Sequence, residues 1–342
     1  MDDNVRTIRD IFYEREERSL SARAFLTRNT RGREFYCEPC CNRTEFQRDR
    51  DRIIHSKSFR RLMHKTQVFL LPAGEHYRTR LTHTLEVAQI ARIIARALML
   101  NEDLCEAGAL GHDLGHTPFG HAGERVMQKC FSEDFTHYKQ SLRVVEKLEN
   151  DGDGLNLTWE VRDAIVNHTG DNTAATLEGA VMRFADRIAY INHDIDDACR
   201  AGILSVSDIP KPLRDILGET HSGRINTMVT SVIEASFDSD RISMTPEISE
   251  ATDELRAFLF ENVYVNSAAK KEEKKAMLLL ESLFEYFTAN PDRMHGIYLA
   301  ELEYESVERC VCDFISSMTD RYAINLYKEI FIPSIWQTPN EI

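Results

Sequence analysis

The run densest in histidine, residues 110–124, sets the strongest constraint on this fold. His112, Asp113, His116, His121 and Glu124 fall within thirteen residues. Neighbouring residues on a regular helix point about 100° apart, so His112 and Asp113 converge on one ion only at a helix end or an irregularity. Gly111 and Gly115 flank the pair and are expected to supply that freedom. Neutral imidazole with carboxylate suits a divalent first-row transition metal, or Mg²⁺ where oxygen ligands dominate. Two ligands are too few, so other helices must supply the rest.

His83 opens a stretch in which Leu85, Ala88, Ile94 and Leu98 recur at helical spacing. Asp186 lies in a second helical stretch, 181–191. A chain that brings His83, His112, Asp113 and Asp186 together must pack at least three separate helices around one point. A second dipeptide, His193-Asp194, competes for the metal but lacks flanking glycines.

The order His, His-Asp, Asp on a helical chain resembles the HD phosphohydrolase superfamily. The match narrows with Arg48 to Leu62, His64 to Phe69, His112-Asp-Leu-Gly-His-Thr-Pro-Phe-Gly-His-Ala-Gly-Glu124, Gln140 to Val145 and Met318-Thr-Asp-Arg-Tyr-Ala323. These blocks are similar to the bacterial deoxyguanosinetriphosphate triphosphohydrolase family and span most of the chain. The resemblance implies an all-α protein, an HD-domain helical fold with additional C-terminal helices. It divides the chain into an N-terminal helix and arm (1–43), a metal-dependent phosphohydrolase core (44–205) and a helical C-terminal region packed on it (206–342).

It also implies hydrolysis of deoxynucleoside triphosphates, dGTP among them, to deoxynucleoside and inorganic triphosphate, with Mn²⁺, Mg²⁺ or another first-row metal. A metal held by His83, His112, Asp113 and Asp186 would acidify water and polarise the α-phosphorus, where that family cleaves. His121 with Glu124, or His116, is expected to protonate the 5′-oxygen. A histidine at the place of His137 lines the family's active site; Tyr138 here departs from the asparagine that usually follows it. Arg80, three residues before His83, would contact a substrate phosphate. Tyr190 and Asp194 continue from Asp186 at i+4 and i+8. In a related mammalian dNTPase such residues border the deoxyribose, and Arg187 is grouped with them. The family's ring-like homo-oligomers, hexamers included, and activation by a second dNTP are further expectations. The competing readings are an HD phosphohydrolase of a nucleoside monophosphate, cyclic nucleotide or alarmone, and a nucleotide-binding regulator with little turnover.

Composition narrows the partners. The net charge of −14 disfavours non-specific nucleic-acid binding. Yet Arg48 to Lys65 carries seven positive charges in eighteen residues, and Arg60, Arg61 and Lys65 are candidate phosphate ligands. No apolar run reaches the ~18 residues of a membrane span, and Met1 to Asn4 does not resemble a signal peptide, so a cytoplasmic protein is expected. Of the eight cysteines, Cys37, Cys40 and Cys41 offer half a zinc site that Cys310 and Cys312 complete poorly. They are read as reduced thiols, with Cys105, Cys130 and Cys199 as small core residues. Ile8, Ile11 and Phe12 mark an amphipathic N-terminal helix, and 23–41 an irregular, solvated arm. Residues 70–80 form a turn-rich loop delivering His83, residues 149–155 a turn between helices rather than a calcium loop, and Lys270 to Lys275 a solvated helix start.

Overall fold

The computed structural model describes residues 6–67, 77–265 and 269–333. Among these the chain is all-helical, with two isolated β-bridges, Arg33 to Thr158 and Thr66 to Thr79. The helices are α1 (Ile8–Ser19), α2 (Glu45–His55), α3 (Lys57–Arg61), α4 (Arg80–Ala97), α5 (Glu102–Gly111), α6 (His121–Cys130), α7 (His137–Arg143) and α8 (Trp159–Asn167). They continue with α9 (Leu177–Arg200), α10 (Lys211–Leu217), α11 (His221–Ser236), α12 (Pro246–Leu259), α13 (Ala269–Ala289), α14 (Ile297–Ala300), α15 (Val307–Ser316) and α16 (Asp320–Phe331). The start of the loop expected over 70–80 lies outside the described residues, as do Asp2 to Val5 ahead of α1.

Local chemistry sets the helix starts. Thr44 caps α2 and Thr79 caps α4, each in a reciprocal capping box, while Asn101 and Thr176 cap α5 and α9. Each such cap contributes about 1 kcal/mol. Along α9, Val181, Ala185, Ile188 and Ile195 form a fully buried stripe at helical spacing. That register turns Asp186, Tyr190 and Asp194 onto a neighbouring face. On α4 the core stripe is Val87, Ile90, Ala91, Ile94 and Ala95, with Ala88 and Leu98; Leu85 is half exposed. Helical spacing alone does not say which of two apolar stripes faces inward.

Helices α4, α5 and α9 pack on one another and, with α2, α8, α11 and α12, enclose the larger apolar core. A second core joins α6 to α13, α15 and α16 through Val126, Met127, Leu280, Phe287 and Phe314. Cys310 and Cys312 are buried within it. Among the described residues all eight cysteines are free thiols and none belongs to a potential metal cluster.

The arm before α2 is irregular but not solvated throughout. Arg33, 6% exposed, pairs with the fully buried Asp49 and with Glu45, and it donates to the Asn156 carbonyl at 2.7 Å. Arg31 stacks 3.7 Å above the Trp159 ring. The arm is thus fastened across α2 and α8. Helix α1 is peripheral, with no fully buried residue and Ile8 half exposed. Residues 150–152 form a 3₁₀ turn with Asn150 and Asp151 in left-handed backbone, the turn expected there.

Candidate metal centre

Four helices converge on the glycine-flanked pair. Gly111 ends α5, and His112 and Asp113 follow in the turn, both buried. The glycines serve close approach rather than unusual dihedrals, since neither has a positive φ. A Cβ on Gly115 would lie 2.2 Å from the Ser141 amide nitrogen, and one on Gly111 would lie 2.5 Å from Ile165 Cδ1. α7 and α8 therefore sit directly against the His-Asp turn. Ser141 Oγ secures it by donating to the His112 carbonyl at 2.6 Å and accepting from the Gly115 N–H at 2.9 Å.

His112 Nδ1 lies 2.7 Å from the Ala109 carbonyl and donates to it. This fixes the tautomer and leaves the Nε2 lone pair facing inward. Nε2 is buried with no hydrogen-bond partner, 3.5 Å from Asp113 Oδ1 and 3.9 Å from Asp186 Oδ1. His83, from the first turn of α4, places Nε2 3.1 Å from Asp186 Oδ1. The ligand atoms of His83, His112 and Asp113 lie within 4.8 Å of one another, and Asp186 joins them through the two imidazoles. Two imidazole nitrogens and two carboxylates around an orphaned lone pair fit a divalent cation.

Electrostatics favours the ionised carboxylates. Burial pushes Asp113 up, but His112, Arg80, His116 and His83 outweigh it and hold the carboxyl well below its usual range. Burial likewise opposes ionisation of Asp186, and the bond from His83 brings it down to about 2. Arg80 is 2% exposed, with Nη1 2.6 Å from Asp113 Oδ2.

Asp113 also borders a second group. Its ligand atom clusters with those of His116 and His137, and His116 clusters in turn with His121 and Glu124. His116 and His137 stack with ring centroids 4.7 Å apart. Glu124 Oε2 lies 3.0 Å from His121 Nδ1, and Oε1 lies 3.1 Å from His137 Nδ1. Although burial resists it, hydrogen bonds from His121 and His137 hold the Glu124 carboxyl far below its usual range. Burial opposes protonation of His137, but Glu124 more than compensates and raises it. Burial, with Arg80 and His137, pushes His116 well down. His121 is the exposed member, with 70% of its side chain accessible.

The fold adds His168, which sequence reasoning missed. This buried residue at the C-terminal end of α8 donates from Nδ1 to the Ile165 carbonyl at 2.7 Å. Its ring lies 4.9 Å from that of His112, and its Nε2 is 3.4 Å from His137 Nε2. It therefore bridges the two groups. Only the Asn167-His168-Thr-Gly helix ending marks it, and that is no distinctive signal.

Other candidates disperse. Lys65 is 2% exposed, and its ammonium donates to the carbonyls of His116 and, at 2.7 Å, Ser316. Two of its donors hold backbone, which ties the His116 carbonyl to the end of α15. Arg60 is exposed, and Arg61 donates to Ser58 Oγ at 2.8 Å. Arg187 pairs with Asp253 at the surface. Tyr190 is partly buried and Asp194 buried on the Asp186 face of α9. His193 binds Glu86 at 2.8 Å, so the second His-Asp dipeptide is turned to a different partner.

Known proteins give a consistent picture. The HD domain matches residues 80–191, which include all four candidate ligands, and the phosphohydrolase-associated domain matches 242–329. A deoxyguanosinetriphosphate triphosphohydrolase-like protein of Caldanaerobacter subterraneus subsp. tengcongensis is 59% identical, over 97% of this chain and 98% of its own. A protein of the same description from Desulfatibacillum aliphaticivorans is 48% identical, over 96% and 99%. A solved phosphohydrolase from Bacteroides thetaiotaomicron shares the fold at a TM-score of 0.51 and 18% identity, covering 82% of this chain and 67% of that one. No helix among the described residues is long and apolar enough to cross a membrane. With two relatives matched almost end to end, the chain belongs to the deoxyguanosinetriphosphate triphosphohydrolase-like family of HD-domain phosphohydrolases.

Proposed function

We propose that this protein hydrolyses deoxynucleoside triphosphates, dGTP among them, to deoxynucleoside and inorganic triphosphate. The observation that carries this reading is the position of Asp113, which borders both the four-ligand cluster and the His116–His137–Glu124 group. A phosphoryl centre held beside Asp113 is then within reach of proton-transferring side chains as well as of the ligands.

A divalent cation held by His83, His112, Asp113 and Asp186 would supply Lewis acidity for a phosphate oxygen and for water. Arg80 contributes fixed positive charge from the Asp113 side. His116, kept neutral by its position, offers a nitrogen to the phosphate without adding charge. In the proposed reaction water adds its oxygen to the α-phosphorus, the bond to the 5′-oxygen breaks, and that oxygen takes a proton. His121 is assigned as the donor because it is accessible at the edge of the site and oriented by Glu124. His137 and His168 fix the other side of Glu124 and link it to His112. Tyr190 and Asp194 are proposed to border the sugar.

Analysis of products from each dNTP tests the reading. Deoxynucleoside with inorganic triphosphate is expected, whereas nucleoside monophosphate with pyrophosphate would refute it. Native mass spectrometry with and without a second dNTP tests the homo-oligomer and the activating nucleotide that the family resemblance implies.

A further inference from the structure

The catalytic turn between His116 and His121 is unusual in its backbone. Phe119 has φ +62° and Gly120 φ +59°, so two successive residues are left-handed immediately before α6. A glycine tolerates this, but a phenylalanine there is strained by roughly 1–3 kcal/mol and persists only where its neighbours impose it. Gly120 has little room, since an added Cβ would lie 3.2 Å from an Arg80 guanidinium nitrogen. The α6 N-terminus also has no capping side chain of its own.

The restraint comes from two hundred residues away. Asp320, the first residue of α16, is 2% exposed. Its Oδ1 accepts from the Phe119 N–H at 2.9 Å, and its Oδ2 accepts from the Thr66 N–H at 2.9 Å and from the Thr66 hydroxyl. Next to it in the chain, Lys65 ties the His116 carbonyl to that of Ser316, near the end of α15. The two ends of the His116–His121 turn are therefore both fastened to the junction between α15 and α16. Phe119 itself sits in the second core with α13, α15 and α16, so packing and hydrogen bonding act at the same place.

We infer that Asp320 is a positioning residue for the reaction: by holding the left-handed Phe119 peptide it sets His121 relative to His116 and Asp113. Asp320 makes no contact with the four candidate ligands; it acts through the Phe119 peptide and, more remotely, through Thr66, which bridges to the α4 cap Thr79. This inference rests on the proposed role of His121 and His116, and it gives the C-terminal helices a direct part in the active site. A misplacement of about 1 Å at a reacting group costs on the order of 100-fold in rate, which sets the scale of the effect.

The test uses the full-length, metal-loaded protein and the variants Asp320→Ala, Asp320→Ser and Asp320→Asn. Alanine removes the acceptor, serine is too short to reach Phe119, and asparagine keeps one oxygen for its N–H. With dGTP and Mn²⁺, alanine and serine are expected to lower kcat about 100-fold while KM and the Mn²⁺ dissociation constant change less than about threefold. Asparagine, which keeps an acceptor for Phe119 but turns its N–H₂ toward Thr66, is expected to recover part of that loss. Hydrogen exchange of the peptide spanning 117–121 should accelerate in the alanine and serine variants, with α5 unchanged. If alanine does not fold, the serine variant carries the same readings. A folded alanine or serine variant with kcat within twofold of wild type, an asparagine variant as impaired as alanine, or a loss confined to KM or metal binding would overturn the inference. If wild type itself releases no triphosphate from dGTP or any other dNTP, the proposed reaction fails instead, and the exchange measurement alone decides whether Asp320 holds the turn.

Discussion

A single oxygen of Glu124 holds His137 twice: Oε1 accepts from its backbone N–H at 2.8 Å and lies 3.1 Å from its Nδ1. The other oxygen binds His121. One carboxylate thereby orients an accessible imidazole and a buried one whose ring stacks on His116.

Glu124→Gln keeps the shape and removes the charge. It is expected to lower kcat by about 100-fold or more, within the range for loss of general acid–base assistance. KM should stay within about threefold because Glu124 is not among the phosphate contacts. Steady-state kinetics with a dNTP reads this, and an unchanged kcat would remove Glu124 from proton transfer.

Arg33→Ala tests whether the arm is part of the folded core. The substitution leaves Asp49 fully buried without its guanidinium, although the Thr158 N–H and hydroxyl still donate to it. Loss of one partner from such a pair costs about 3–5 kcal/mol. For a chain of this size that is a fall in Tm of roughly 4–7 °C. A change under about 2 °C by calorimetry would show that the arm is only laid on the surface.

Stability in chelator should fall as the solution is acidified below pH 6.5. Burial and the nearby His112 and His137 lower His168 to about 3, and burial lowers His193 to about 4. Between these values and about 6.5 the unfolded chain takes up protons that the folded chain refuses, so acid favours unfolding. His168 alone contributes about 2 kcal/mol of this loss at pH 5. His137 has the opposite sign: raised by Glu124, it stabilises fully below 6.5, and that contribution disappears as pH rises through its folded value. Urea midpoints at pH 7.5, 6 and 5 are expected to drop more steeply for wild type than for His168→Asn. Parallel slopes would contradict the buried, neutral state of His168.

Tyr190→Ala is expected to relax sugar selection. A pocket rejects an added hydroxyl by only about 100-fold, so the ratio of kcat/KM for dGTP over GTP should fall by roughly 10- to 100-fold. An unchanged ratio would place sugar recognition elsewhere.

Much of the centre was legible because its chemistry is written locally. His112 and Asp113 announce themselves by adjacency and by small flanking residues, and His83 and Asp186 by their places on periodic helices. His168 is a lone histidine whose partners are 56 residues before it and 31 residues before it, and spacing carries no trace of that. Lys65 read as one charge in a basic run, but its ammonium sits between two carbonyls, one of them 251 residues away. Arg33 read as solvated because an irregular charged segment usually is, and Asp49 belonged to an alternating charge run that gave no hint of burial. Gly111 and Gly115 stand out in the sequence by flanking the pair, yet what they provide is space for their neighbours, and the backbone there needs no unusual angle.

Hydrolysis of dGTP in ¹⁸O-labelled water, with ³¹P NMR and mass spectrometry of the products from wild type and Asp113→Ala, tests the central claim most directly. The expected result is one labelled oxygen in inorganic triphosphate, unlabelled deoxyguanosine, and no product from the folded variant. Label in the deoxyguanosine 5′-hydroxyl, release of pyrophosphate or orthophosphate, or equal turnover by Asp113→Ala would contradict attack by water at the α-phosphorus in this centre.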